Sequence, residues 1–230
     1  MRLGFKLIKP SRLLAKPLLW FMTTKPWVWI SDKIIGQMTF RMMGYPRFPI
    51  GSYHDICRDI LKKEPNTFYT FASTDSLSLA SILIRYIVGK GNFNFTHAGI
   101  FVLEDNEPPK IMHMKGEGLL FWDLLELLRE IDYICINKII LSPENYIVAK
   151  GRIKYLVDNR DKLKYDYAQR IGYKKNKFYC SETNFFIFDG LTSDSDLQPE
   201  ILHGIKTFSP DKVTKIGEVA YSNHENIKTT

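Results

Sequence analysis

Cysteine is scarce in this chain: Cys57, Cys135 and Cys180 are the whole complement of its 230 residues. An odd number leaves at least one thiol outside any set of internal disulfides, and no two of the three stand at the spacing of a metal-binding pair. The fold is therefore not expected to lean on disulfides, and a reducing compartment suits it. No apolar run approaches the roughly 20 residues that cross a membrane as a helix. A secretory signal is disfavoured, because Lys16-Pro17 interrupts the first apolar stretch and no small-residue cleavage site follows it cleanly. Internal repeats and low-complexity tracts are absent. The compartment stays open on these grounds, with the cytoplasm or the periphery of a membrane favoured.

What is present is enough for a substantial core, with 45% hydrophobic and 25% charged residues. The charge balance is basic, +7 with a pI near 9.2. Part of the excess sits at the N-terminus, where Arg2, Lys6, Lys9, Arg12, Lys16 and Lys25 interleave with Phe5, Leu13, Leu14, Leu18, Leu19, Trp20, Phe21, Trp27 and Trp29. Two readings of that mixture stand side by side. It suits an anionic membrane surface, with rings at headgroup level and lysines toward phosphate. It equally suits a helical arm packed on the rest of the chain with its lysines in water. Charge alone would permit nucleic acid as a partner, but no recognised binding motif accompanies it, and that class is set aside.

Prolines punctuate the first 66 residues at Pro10, Pro17, Pro26, Pro46, Pro49 and Pro65, so residues 1–66 read as an N-terminal extension of short helices. Asp55 to Lys63 is the last of these. A main domain is expected over 67–221 and a polar tail over 222–230. Strands are expected at Thr67 to Ala72, Phe95 to Leu103, Lys110 to Met114 and Tyr133 to Leu141. Helices are expected at Leu77 to Val88, Leu119 to Ile131 and Glu144 to Asn159. Cys135, inside Ile134-Cys135-Ile136, reads as core.

The chemistry concentrates at Phe178-Tyr179-Cys180-Ser181-Glu182-Thr183-Asn184 and at Thr96-His97-Ala98-Gly99-Ile100. Cys180 stands at the expected start of an apolar helix, whose unpaired N–H groups stabilise a thiolate and a developing oxyanion. His97 opens an apolar strand and supplies an imidazole to take the thiol proton. Taken singly, each residue also fits a packed core position. A hairpin centred near Asn106 pairs Leu103 with Pro109 and so sets Gly99 opposite His113, with His97 on the same face one diagonal step away. His113 is thus placed to orient His97, and Glu117 in Lys115-Gly116-Glu117-Gly118 is the alternative. Tyr165 and Tyr179 are secondary candidates for donating a hydroxyl to substrate or oxyanion. Glu182, in the first turn of the helix, reads as structural.

The order histidine then cysteine, with Tyr165-Asp166-Tyr167 and Tyr179 ahead of Cys180-Ser181-Glu182, resembles the circularly permuted papain-like family, often called YiiX-like. These proteins are relatives of the NlpC-type cysteine peptidases of bacterial cell walls. The resemblance runs from about Thr67 to Tyr221 and takes in Ser209-Pro210-Asp211 before an expected last strand. It implies an α+β fold in which an antiparallel papain-like sheet packs against helices. It also implies a covalent acyl-transfer mechanism with Cys180 as nucleophile and His97 as acid and base, and no metal or organic cofactor. Two histidines beside a cysteine are also similar to the arrangement in lecithin:retinol acyltransferase-like proteins.

Three functions follow as expectations. The first is a peptidase or amidase acting on a peptide of cell-wall type. The second is an acyl hydrolase or acyltransferase acting on a lipid or acyl-amide at a membrane, with Leu119-Leu120-Phe121-Trp122 as part of an acyl groove. The third is a catalytically silent binding or structural protein, such as a phage particle component, on the same fold.

Overall fold

A computed structural model describes residues 50–74, 94–104, 107–166, 171, 176–192, 197–202 and 205–224. The basic, aromatic N-terminal stretch and the expected helix at Leu77 to Val88 lie outside these residues. So do Asp105 and Asn106 in the β2–β3 turn.

Described residues begin with a short helix, α1 (Ile50–Asp55), which widens into a single wide turn at Ile56–Ile60. Buried Ile56 and Leu61 then carry the chain under the sheet. Strand β1 (Thr67–Thr74) enters the sheet centre with six consecutive buried residues, Tyr69 to Thr74. Such a run, apolar or small on both faces, is what a strand covered on two sides needs. It pairs with β5 (Tyr133–Ile140) on one side and β2 (His97–Val102) on the other. Beyond β2 come β3 (Lys110–Lys115) and β4 (Gly118–Asp123), and β10 (Glu218–Ser222) closes the far edge. The order is β10-β5-β1-β2-β3-β4, and every pairing is antiparallel. The fold is therefore mixed α and β, built on a six-stranded antiparallel sheet with helices around it.

Leu119 to Ile131 departs from expectation. Its first part is strand β4, and only Leu124–Glu130 forms a helix, α2. The reason is local. Gly118 adopts φ of 115°, a left-handed conformation that glycine takes without strain, and turns the chain back along β3. Asp123 then ends the strand, its N–H donating to Glu126 Oε2 at 3.2 Å in a capping arrangement. Leu119-Leu120-Phe121-Trp122 carries no alternation that would separate a strand from a helix. The candidate acyl groove thus sits on the sheet's edge strand.

Alternation along the strands builds two cores. Ala98, Ile100, Met112, Met114, Cys135 and Ile139 face one side. There they meet α3 (Pro143–Asp158) through Ala149 and Leu156, and α4 (Cys180–Phe188) through Phe185, Ile187 and Phe188. Phe71, Phe101, Ile111, Ile134 and Ile136 face the other, against α2 and the segment around Ile56. Helix α3 starts where Ser142 Oγ accepts the Asn145 N–H, with Pro143 in the first turn. Arg152 on α3 reaches the end of α4 and donates to the carbonyls of Phe186, Ile187 and Asp189 at 3.1, 3.1 and 2.8 Å. A cation is favourable at that end of a helix.

Short pairings complete the frame. The parallel strands β6 (Lys164–Tyr165) and β7 (Lys177–Phe178) set Tyr165 beside Phe178. Strands β8 (Glu200–Leu202) and β9 (Ile205–Thr207) lead to α5 (Pro210–Val213). Among the described residues, no helix is long and apolar enough to cross a membrane.

Gly99 is where the sheet tolerates no side chain. A Cβ there would lie 2.6 Å from Phe71 Cε1 and 2.7 Å from the Met112 carbonyl oxygen. Gly99→Ala is expected to lower stability by about 1–3 kcal/mol through overpacking. Urea denaturation checks this, and an unchanged midpoint would contradict the close packing described here.

Candidate functional site

The β2–β3 ladder ends at Gly99 opposite His113, although β3 itself continues to Lys115 against β4. The pairing is the one expected from the hairpin, and the two strands part beyond it. The N–H of Ala98, next along β2, lies past the last rung. It donates instead to the sulfur of Cys180. Cys180 is the first residue of α4, with extended Tyr179 as the flanking residue. The sulfur also receives the Tyr165 hydroxyl and the Ser181 N–H. Donors from three chain segments thus converge on one thiol.

The two histidines meet as well. His97 Nε2 and His113 Nδ1 lie 2.8 Å apart, with one N–H shared between them. Both rings sit on the Phe71 and Trp122 side of the sheet: His97 lies 6.1 Å from Phe71 and His113 4.7 Å from Trp122, centroid to centroid. Helix α4 packs on the opposite side, and its thiol meets the sheet at the opening between β2 and β3. Among the described residues no hydrogen bond joins Cys180 to His97. The connection is through the chain, since the peptide that touches the sulfur is the one joining His97 to Ala98.

Glu117 lies exposed on the β3–β4 turn, so His113 alone of the two orienting candidates reaches His97. The Tyr179 hydroxyl is engaged by the segment at Thr207 and Phe208. It accepts the Phe208 N–H at 2.7 Å and lies 3.2 Å from Thr207 Oγ1. Tyr165 is the tyrosine that touches the thiol. Glu182 is fully buried.

Electrostatically the site is uncharged, with Cys180 and His113 buried and His97 partly exposed. Burial pushes the Cys180 thiol above its ordinary value, against the opposing pull of the donors from Ala98, Tyr165 and Ser181. The helix start therefore does not produce a resting thiolate. Burial and the Lys115 ammonium hold His97 down to about 3. Burial, then His97 and Lys115, hold His113 down to about 2. Lys115 itself lies over the Trp122 ring at 3.5 Å and pairs with Glu130 at 3.0 Å. Cys135, bonded to Asn137 in the core, is pushed up to about 12 by burial. Neutral thiol and neutral imidazoles are the chemistry of a proton held in reserve.

Sequence reasoning missed the Ala98 N–H, the Lys115–Trp122 stack and the contacts of Thr207, Phe208 and Asp211. The first was implicit in the hairpin register, which fixes where the ladder stops. The last had only the Ser209-Pro210-Asp211 step as a signal. Among the described residues no group of three or more His, Cys, Asp or Glu is arranged to hold a metal ion. Comparison of the chain with family models, with curated proteins and with solved structures found no match.

The neutral histidine pair sets a pH dependence. Unfolded histidines ionise near 6.5, so below that pH the unfolded chain binds more protons than the folded one. Stability is fully present above about pH 6.5 and declines as pH falls toward the folded values of about 3 and about 2. Urea midpoints are expected to drop between about pH 6.5 and pH 5, above the carboxylate range. His113→Gln should reduce that slope, and an unaltered slope would mean the pair is not buried neutral.

Proposed function

We propose that this protein is a cysteine-dependent hydrolase on a circularly permuted papain-like fold, cleaving an amide bond through a thioester. The observation that carries the reading is the convergence of the Ala98 N–H, the Tyr165 hydroxyl and the Ser181 N–H on Cys180, with a hydrogen-bonded imidazole pair beginning one residue along the strand. A structural cysteine needs none of these donors, as a buried thiol behaves as a small hydrophobe.

The mechanism follows from the protonation states. Cys180 keeps its proton at rest, so sulfur attack and proton loss are coupled: the S–C bond forms as the proton leaves the thiol and is relayed by water, around the end of the β2–β3 ladder, to His97 on the other side of β2. His113 holds the far nitrogen of His97 and fixes its tautomer. With His97 Nε2–H donating to His113, Nδ1 of His97 is left as the acceptor. The Tyr165 hydroxyl and the N–H groups at the start of α4 stabilise the charge that develops on the substrate oxygen. Protonated His97 then returns its proton to the departing amine, leaving an acyl group on sulfur, and water releases the acid by the reverse sequence. Peptides of cell-wall type are the substrate class that the motif resemblance favours. The hydrogen-bonded histidine pair keeps the lipid-directed acyl hydrolase or acyltransferase as the second reading.

Alkylation by iodoacetamide, read at each cysteine by mass spectrometry, tests the pair. Cys135 serves as the inert internal reference. Cys180 is expected to react faster than Cys135 at pH 7, and His97→Ala should lower its rate by about a hundredfold or more. Equal rates with and without His97 would leave a papain-like fold used for binding or assembly. Stem-peptide fragments and acyl-amide vesicles, offered to the wild type and to Cys180→Ala, then separate the two substrate classes.

A further inference from the structure

The short stretch from Thr207 to Asp211 grips both halves of the site. On one side it holds the residues flanking the thiol. The Phe208 N–H donates to the Tyr179 hydroxyl at 2.7 Å, and Ser181 Oγ donates to the Phe208 carbonyl at 2.5 Å. Tyr179 and Ser181 are the immediate neighbours of Cys180. On the other side, Asp211 holds the approach to β2. Its Oδ2 accepts the Asn94 N–H at 2.9 Å and its Oδ1 accepts the Phe95 N–H at 2.7 Å. These are the third and second residues before His97.

The approach to β2 is gripped from the sheet as well. Thr74 Oγ1 donates to the Asn94 carbonyl at 2.8 Å, and the Thr96 N–H donates to the Ser73 carbonyl at 3.0 Å. Three consecutive residues ahead of His97 thus have their backbone groups fixed, and the carboxylate supplies two of the bonds. Hydrogen bonds to a charged acceptor are about twice as strong as neutral ones. Asp211 is itself largely removed from water at the start of α5, and its carboxyl lies above the usual range because burial outweighs the two N–H donors. A carboxylate placed there without a task would be a poor choice, since a surface loop satisfies its N–H groups with water.

We propose that Asp211 is a positioning residue for the Cys180–His97 pair: by clamping Asn94 and Phe95 to the same segment that clamps Tyr179 and Ser181, it fixes where the imidazole stands relative to the sulfur. This rests on the hydrolase reading above. It adds a residue that touches neither the thiol nor the imidazole yet sets their separation. Replacing the carboxylate by an amide leaves one acceptor and turns an NH2 group toward a backbone N–H, which releases one end of the clamp.

A double-mutant cycle on the alkylation of Cys180 at pH 7 tests it, using the full chain as wild type, Asp211→Asn, His97→Ala and the combination. Asp211→Asn is expected to slow the reaction about ten- to a hundredfold when His97 is present, the scale of a small misplacement of reacting groups. On the His97→Ala background it should change the rate little, because there is no imidazole left to place. An equal slowing on both backgrounds would overturn the proposal in favour of plain structural support. No slowing at all would overturn it too. If wild type and His97→Ala react alike, the hydrolase reading falls first and the positioning role with it. Thr74→Val, which removes the hydroxyl grip on Asn94 from the opposite side, provides the same cycle should Asp211→Asn fail to fold. An effect that persists without His97 there would count against the proposal equally.

Discussion

A buried backbone N–H has to find an acceptor, and at Ala98 the strand that would supply one has already turned away. The β2–β3 ladder stops at Gly99 and His113. The next N–H is left inside the protein with no rung to complete, at a cost of the order of 1–3 kcal/mol if it stayed unpaired. The sulfur of Cys180 fills that place. Much else in the structure follows from this one substitution of a thiol for a carbonyl. Helix α4 must begin at the opening, Tyr179 must be extended so that Cys180 is the first helical residue, and α4 must pack along β2 and β3 on the Ala98 face.

The same alternation that gives α4 its side of the sheet gives the histidines the other. His113 faces Gly99 because the register demands it, and Gly99 is without a side chain because Phe71 and Met112 leave no room. The imidazoles are then enclosed by Phe71 and Trp122, with Lys115 nearby, and they stay neutral. A charged imidazolium and a thiolate would each be stranded in low dielectric on opposite sides of a strand. Keeping both groups neutral is the arrangement that the burial of this site allows.

The hairpin register, the helix beginning at Cys180 and the strands at β1, β2, β3 and β5 were all legible in the sequence, because each rests on local alternation or on a turn a few residues long. Leu119 to Trp122 was not legible as a strand. An unbroken apolar run has no period, and the decisive features are the backbone angle of Gly118 and the cap at Asp123. The choice between His113 and Glu117 needed the actual turn, which leaves Glu117 in solvent. Asp211 was noticed only as part of a motif. Its contacts with Asn94 and Phe95 join residues 117 and 116 positions apart, and nothing local announces them.

The two-rung parallel pairing of Lys164 with Lys177 and Tyr165 with Phe178 closes a chain excursion at its base. Tyr165 and the approach to Cys180 are therefore registered to one another by backbone bonds. Loss of either rung would free the phenol and the start of α4 from one another, so this two-residue ladder works as a clasp on the donor side of the sulfur.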